Sequence, residues 1–221
     1  MKGPLTAEHI TARLHAERLA VLGGFGIVEG ESGFPSGTRS ILMIGLAEPG
    51  FWPHFTASDE WRDGVADPMD RWSCRVLGGI ARDIGATALF PFGGPPWLPF
   101  YSWALRTGRI HESPVRLLVH ADQGLMVSFR GALALREEIA LPAPAASVCD
   151  SCADRPCMTA CPVSALSPAG YDVAACHAHL DRPQGAACVT GGCLARRACP
   201  VSAAYARLPE HSAYHMRQFH K

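Results

Sequence analysis

Apolar side chains between residues 6 and 22 recur at Ile10, Leu14, Leu19 and Leu22, near the helical period, and Gly23-Gly24 follows. That spacing predicts a helix ending at the glycines. Residues 40–46, SILMIGL, form a short continuous apolar run, which predicts a buried strand. Trp72, Val76, Ile80 and Ile84 step by four through residues 70–84. They predict a helix with one apolar face, weakened by Gly78-Gly79. Cys74 lies in that segment and reads as a small core residue. Residues 86–92, ATALFPF, predict a strand running into the loop GGPPWLP. Residues 115–121 and 124–133 predict two strands joined by a tight turn at Asp122-Gln123-Gly124. In the tail, a terminal helix is expected to dock Tyr214 and Phe219 onto the body.

This order mixes helices and strands without the strict alternation of a doubly wound sheet, so the fold class is α+β. The chain has 221 residues, 48% of them hydrophobic, enough for a real core. Cysteine usage marks the division: residues 1–148 hold Cys74 alone, and the other eight of nine cysteines follow. The Pro/Ala stretch at 141–147 reads as a linker. Two domains are expected: residues 1–145, mixed α/β with a cofactor or substrate pocket, and residues 146–221, a small α-helical cysteine-rich domain with a tail.

Charge narrows the partners. Formal net charge is zero, and the lysines are Lys2 and Lys221. Nucleic-acid binding usually shows as a basic excess, so no nucleic-acid partner is expected. The N-terminal stretch does not read as a signal peptide, and no run is apolar enough for a membrane helix. The expectation is a cytoplasmic protein whose thiols stay reduced. Its cysteines then point to metal before disulfides.

The cysteines form two runs, Cys149-x2-Cys152-x4-Cys157-x3-Cys161-Pro162 and Cys188-x4-Cys193-x5-Cys199-Pro200, with Cys176 between them. Eight thiolates suit two [4Fe–4S] clusters of four ligands each. In paired-cluster motifs, the cysteine before proline ligates the other cluster. That rule assigns Cys149, Cys152, Cys157 and Cys199 to one cluster. Cys161, Cys176, Cys188 and Cys193 take the other. Two four-cysteine zinc sites would use the same residues, and a disulfide framework is the third reading.

The stretch ALRTGRIHESPVRLLVHADQGLMVSFRGALAL, residues 104–135, and the isolated cysteine in YDVAACHAHL, residues 171–180, add to the cysteine runs. Together they resemble the bis-[4Fe–4S] portion of epoxyqueuosine reductases and the related corrinoid-dependent reductive dehalogenases. The resemblance covers roughly residues 38–202. It implies an N-terminal, cobalamin-reductase-like α/β domain beside a ferredoxin-like domain that feeds it electrons. Two departures matter. The family's catalytic aspartate lies in an acidic stretch, whereas residues 93–106 here, GGPPWLPFYSWALR, carry no carboxylate. The family's C-terminal extension, which holds transfer RNA, has no counterpart in this chain. Epoxyqueuosine activity is therefore not expected.

Other residues carry two readings each. His111 and His120 could face a corrinoid or substrate, or satisfy a strand edge. Trp97, Phe100, Tyr101 and Trp103 could cover a flat macrocycle or form core. His177 and His179 flank Cys176 as polar cover for a cluster. His211 and His215, at i and i+4, could hold a metal or simply face the body. The function these residues support is electron transfer through two [4Fe–4S] clusters. The electrons go to a cofactor or substrate at the N-terminal domain, or the protein is a ferredoxin-type carrier that docks a donor or acceptor protein. A structural zinc protein is the weaker alternative.

Overall fold

In a computed structural model, residues 6–221 are described; Lys2 lies outside them. In chain order the first elements are α1 (Ala7–Ala16), β1 (Leu19–Gly26), β2 (Ser40–Leu46), α2 (Phe51–Thr56), α3 (Asp59–Arg62), α4 (Pro68–Ile84), β3 (Thr87–Leu89) and α5 (Phe100–Arg106). There follow β4 (Ile110–Glu112), β5 (Leu118–His120), β6 (Phe129–Leu135), β7 (Leu166–Ser167) and β8 (Gly170–Tyr171). The chain ends in α6 (Val173–Leu180), α7 (Ala186–Gly191), α8 (Leu194–Ala198), α9 (Pro200–Ala204) and α10 (Pro209–Phe219). Helices and antiparallel sheets make this an α+β protein. Among the described residues no helix is long and apolar enough to cross a membrane.

The chain divides into two compact units. One takes in the chain up to Arg109 together with Ser128–Pro144, the other Ile110–Val127 with Ala145–Lys221. Residues 110–127, expected in the N-terminal domain, group instead with the cysteine-rich segment.

The first unit is built on a four-stranded antiparallel sheet in the order β1-β2-β6-β3. β2 is buried along its whole length, as a continuous apolar run between two neighbours must be. Against the sheet α4 turns Trp72, Val76, Leu77 and Ile80 inward, while Ile10 and Leu14 of α1 are also buried. Pro68 starts α4, and Gly85 ends it in the left-handed region at φ 74°. Trp72 meets Phe51 and Phe55 edge-on.

Three expectations are corrected here. The helix predicted to residue 22 ends at Ala16, because Arg18 adopts φ 55° and turns the chain into β1. Leu19 and Leu22 are buried as strand residues. Cys74 is exposed, not core: two residues on from Trp72, it sits roughly 200° around the helix. The predicted hairpin 115–133 does not form. β6 pairs with β2 and β3 in the first unit, and β5 pairs with β4 in the second. Six of the seven residues of β6 are buried, so it needs a neighbour on each edge, which a lone hairpin lacks.

The second unit carries the β4–β5 pair, the short β7–β8 pair and the helices α6 to α10. The predicted turn is real but local: His120 and Gly124 exchange backbone hydrogen bonds of 2.9 and 3.0 Å. Val115, Val119, Leu125, Leu166 and Ala195 form its core with Cys157 and Cys199. α10 packs on α7, burying Tyr214, while Phe219 stays partly exposed.

Candidate metal centre

Cys149, Cys152 and Cys157 come from one winding loop. Cys152 N–H donates to the Cys149 carbonyl at 3.4 Å, and Cys157 sits in a single 3-10 turn opened by Pro156. Cys199 arrives from the far end of the segment, where α8 stops and Pro200 opens α9. Proline fits there because the first residue of a helix has no use for its N–H. These four cysteines line one cavity of ≈ 240 Å³, with Ser113, Leu125 and Val201 in its wall. Burial pushes the Cys149 thiol up, and neighbouring Cys199 and Cys152 push it further. The Cys157 thiol is raised in the same way, by burial first and then by Cys149, Cys199 and Cys152. Thiols crowded like this ionise together only when a cation compensates them.

Two features shape this cavity. Gly124 has φ 56°, and a Cβ there would lie 2.5 Å from Ser202 N and 3.1 Å from Cys199 Sγ. Only glycine lets this turn approach Cys199 so closely. Leu125 N–H, the next donor, bonds Ser202 Oγ at 2.8 Å. Ser113 is 4% exposed, and its Oγ is buried without a hydrogen-bond partner. A buried hydroxyl facing nothing polar is costly unless something fills the cavity beside it.

The other four cysteines gather separately. Cys161 Sγ accepts from Ala165 N–H at 3.3 Å. Cys176 lies on α6, whose N-cap Asp172 accepts from Ala175 N–H at 2.8 Å. The Tyr171 hydroxyl bonds the Cys176 sulfur, and burial drives the phenol pKa far up. Burial also raises the Cys176 thiol; Tyr171 offsets this, and Cys193, Cys161 and Cys188 add to it. Cys188 is raised by burial, eased by Leu194 N–H and raised again by Cys193 and Cys161. The cysteines that act on Cys176 and Cys188 are thus members of this set, just as those acting on Cys149 and Cys157 belong to the first.

Among the described residues no three of His, Cys, Asp and Glu converge closely enough to share a single metal ion. Four thiolates held to one zinc at about 2.3 Å would leave no cavity between them. The first set surrounds a cavity many times the ~30 Å³ share of a water molecule. The thiol donors, the hydroxyl without a partner and the cavity fit a group of several atoms. The N–H and O–H donors aimed at Cys161, Cys188 and Cys176 are of the kind that tune thiolate-held clusters.

The remaining candidates are dispersed. His111 Nε2 bonds the Ala145 carbonyl at 2.8 Å. His120 is buried, and its Nδ1 accepts from Asp122 N–H at 3.1 Å. Both histidines belong to the second unit and are engaged with backbone. Trp97 and Tyr101 belong to the first unit, 63% and 42% exposed, while Phe100 and Trp103 are buried against each other. His177 Nδ1 meets His220 Nδ1 at 2.6 Å. His179 is buried with Nε2 unpartnered. His211 and His215 face each other at 3.1 Å between Nε2 atoms. Compared with protein-family models, curated proteins and solved structures, the chain matches none.

Sequence reasoning placed Gly124 in a turn without tying it to the cysteines, and it missed Ser113 and Tyr171. Ser113 and Gly124 lie far before the cysteines, with no spacing to tie them there. Tyr171 stands five residues from a cysteine, a proximity that was available to be read.

Proposed function

We propose that the chain is an iron–sulfur electron-transfer protein holding two [4Fe–4S] clusters. Cys149, Cys152, Cys157 and Cys199 would hold the first, and Cys161, Cys176, Cys188 and Cys193 the second. The observation that carries this reading is the crossed sorting of the thiols: Cys199 stands with the first run, and Cys161 with the later cysteines. Adjacent clusters built by crossed motifs pass single electrons between them. The second unit is then ferredoxin-like, with the β4–β5 segment as part of its core.

Bound clusters would supply one-electron chemistry. The chain's own residues would set its terms: Gly124 permits close backbone approach, Ser113 offers a hydroxyl, and Ala165 and Leu194 offer amides. The first unit would then be a cobalamin-reductase-like domain carrying the acceptor, a corrinoid or a small substrate. Otherwise it docks a separate acceptor protein. Binding of cob(II)alamin or flavin mononucleotide to the purified chain separates these two outcomes.

The decisive test is iron and acid-labile sulfide per chain after anaerobic purification. About eight of each is expected for two four-iron clusters. About two zinc ions and no sulfide would overturn the reading in favour of structural metal sites.

A further inference from the structure

The end of α10 meets the end of α6 through three side chains that the cysteine sets do not use. His177 lies in α6, Asp181 caps that helix one turn later, and His220 follows the last residue of α10. Asp181 Oδ1 stands 3.0 Å from His220 Nε2, and His220 Nδ1 stands 2.6 Å from His177 Nδ1. A carboxylate only accepts, so Nε2 of His220 carries the proton, and the neutral ring presents a bare lone pair at Nδ1. That lone pair points at a second imidazole nitrogen. A carboxylate on one ring nitrogen and a lone pair on the other is how histidines that hold a metal are oriented. Packing fixes the second ring. His177 stacks on Phe219 at 4.6 Å with 20° between planes, and Phe219 stacks on Tyr171 at 6.0 Å with 18°. Water reaches the group: the Asp181 side chain is 69% exposed and that of His220 24%.

We propose that His177 and His220 bind a divalent transition ion of the zinc class, apart from the two cysteine sets and independent of what those hold. Imidazole nitrogens suit zinc, copper and nickel. Both Nδ1 atoms bind the ion, water completes its shell, and Asp181 holds the His220 ring from outside. Two direct protein ligands agree with the finding that no three ligating groups share a single ion. In the hydrogen-bonded pair, His177 Nδ1–H donates to His220 Nδ1. On binding, His177 carries its proton on Nε2 instead, so no proton is lost overall. Two nitrogens at about 2.0–2.1 Å from a tetrahedral zinc lie about 3.3 Å apart. The rings must therefore part by less than an ångström, a movement that His220, past the last helical residue, can make. An occupied site ties the end of α10 to α6, the helix that carries Cys176.

The test is equilibrium dialysis against zinc of the whole chain, purified anaerobically with its cysteine sites filled. Wild type is compared with H220A, D181N and H215A. Wild type should take up about one zinc beyond its resident metal, and H220A should lose it. D181N keeps the shape of the side chain and removes its charge, so zinc affinity should fall about 10–100-fold. H215A alters the other histidine pair, His211 with His215, and should bind as wild type does. Zinc should also raise the melting temperature of wild type and not that of H220A. No zinc beyond the resident metal in wild type, equal uptake in H220A, an unchanged D181N, or an equal loss in H215A each overturns the inference. The pair would then be a hydrogen bond between two elements and no more. Zinc without sulfide at the cysteines sinks the iron–sulfur reading and leaves this inference standing.

Discussion

Cys149 and Cys199 stand at opposite ends of the cysteine-rich segment and line the same cavity. Cys161 is nearer in sequence to Cys149, yet it is an electrostatic neighbour of Cys176 and Cys188. Losing either member of one set should therefore damage the same cluster. Cys149→Ala and Cys199→Ala are each expected to lose about half the iron and to leave the same residual EPR spectrum. Cys161→Ala should leave the other one. If Cys161→Ala matches Cys149→Ala instead, each run serves its own cluster and the crossing is wrong.

Gly124→Ala should be among the most damaging single changes in the second unit. The left-handed backbone costs about 1–2 kcal/mol for a residue with a Cβ, and the new methyl overlaps Ser202. The loaded protein is expected to melt several degrees lower and to lose the first cluster before the second. Thermal melting followed at cluster absorbance reads both. An unchanged melting curve would mean that the turn relaxes freely.

Ser113→Ala separates the empty chain from the loaded one. Without a cluster, the substitution removes a buried hydroxyl with no partner. It should then be neutral within ~0.5 kcal/mol or stabilising. With clusters bound it removes a donor from the cavity wall, so the first cluster should become harder to reduce. Equal effects on both forms would assign Ser113 to packing alone.

In the first unit, Glu60 joins α3 to α4. Arg75 Nη2 donates to its carboxylate at 3.0 Å, and Arg71 Nη2 donates to its carbonyl at 2.8 Å. The Arg75 hydrogen bond holds the Glu60 carboxyl below its ordinary value of 4.5. A lowered folded-state pKa stabilises the fold above the ordinary value, and that stabilisation disappears as pH falls through the folded value. Glu60→Gln should cost about 1–3 kcal/mol at neutral pH, with the gap to wild type closing in acid. Urea unfolding at both ends of this range checks it; a gap independent of pH would refute it.

Cys-Pro endings carry a geometric rule, and the cavity lined by Cys149, Cys152, Cys157 and Cys199 has the four residues that rule groups. The helix face of α4 was legible because one period dominates it, and the strand β2 because its apolar run is short and unbroken. β1 was not: Leu19 and Leu22 fit a helical period as well as a strand, and the turn at Arg18 uses φ 55° without a glycine to announce it. The β5–β6 hairpin misled for a related reason. The Asp122-Gln123-Gly124 turn exists, but a local signal cannot say that β6 finds its partners in β2 and β3. His111 and His120 could not be resolved by sequence either, since their hydrogen bonds go to backbone atoms that no residue identity specifies.

The placement of β6 also bears on how the protein is made. Synthesis runs from the N-terminus, and domains generally fold as they emerge. Here residues 110–127, carrying Ser113, Val119 and Leu125, leave the ribosome before any of the eight cysteines they accompany, and before the strand that completes the first sheet. This first, smaller piece of the second unit is made before the rest, from Ala145 onward, is translated. A fragment begun at the apparent linker would lack that piece altogether. The smallest piece of this gene worth expressing to hold the cysteines therefore starts at Ile110, and it carries β6, one of the two inner strands of the other unit's sheet, as an unpaired passenger.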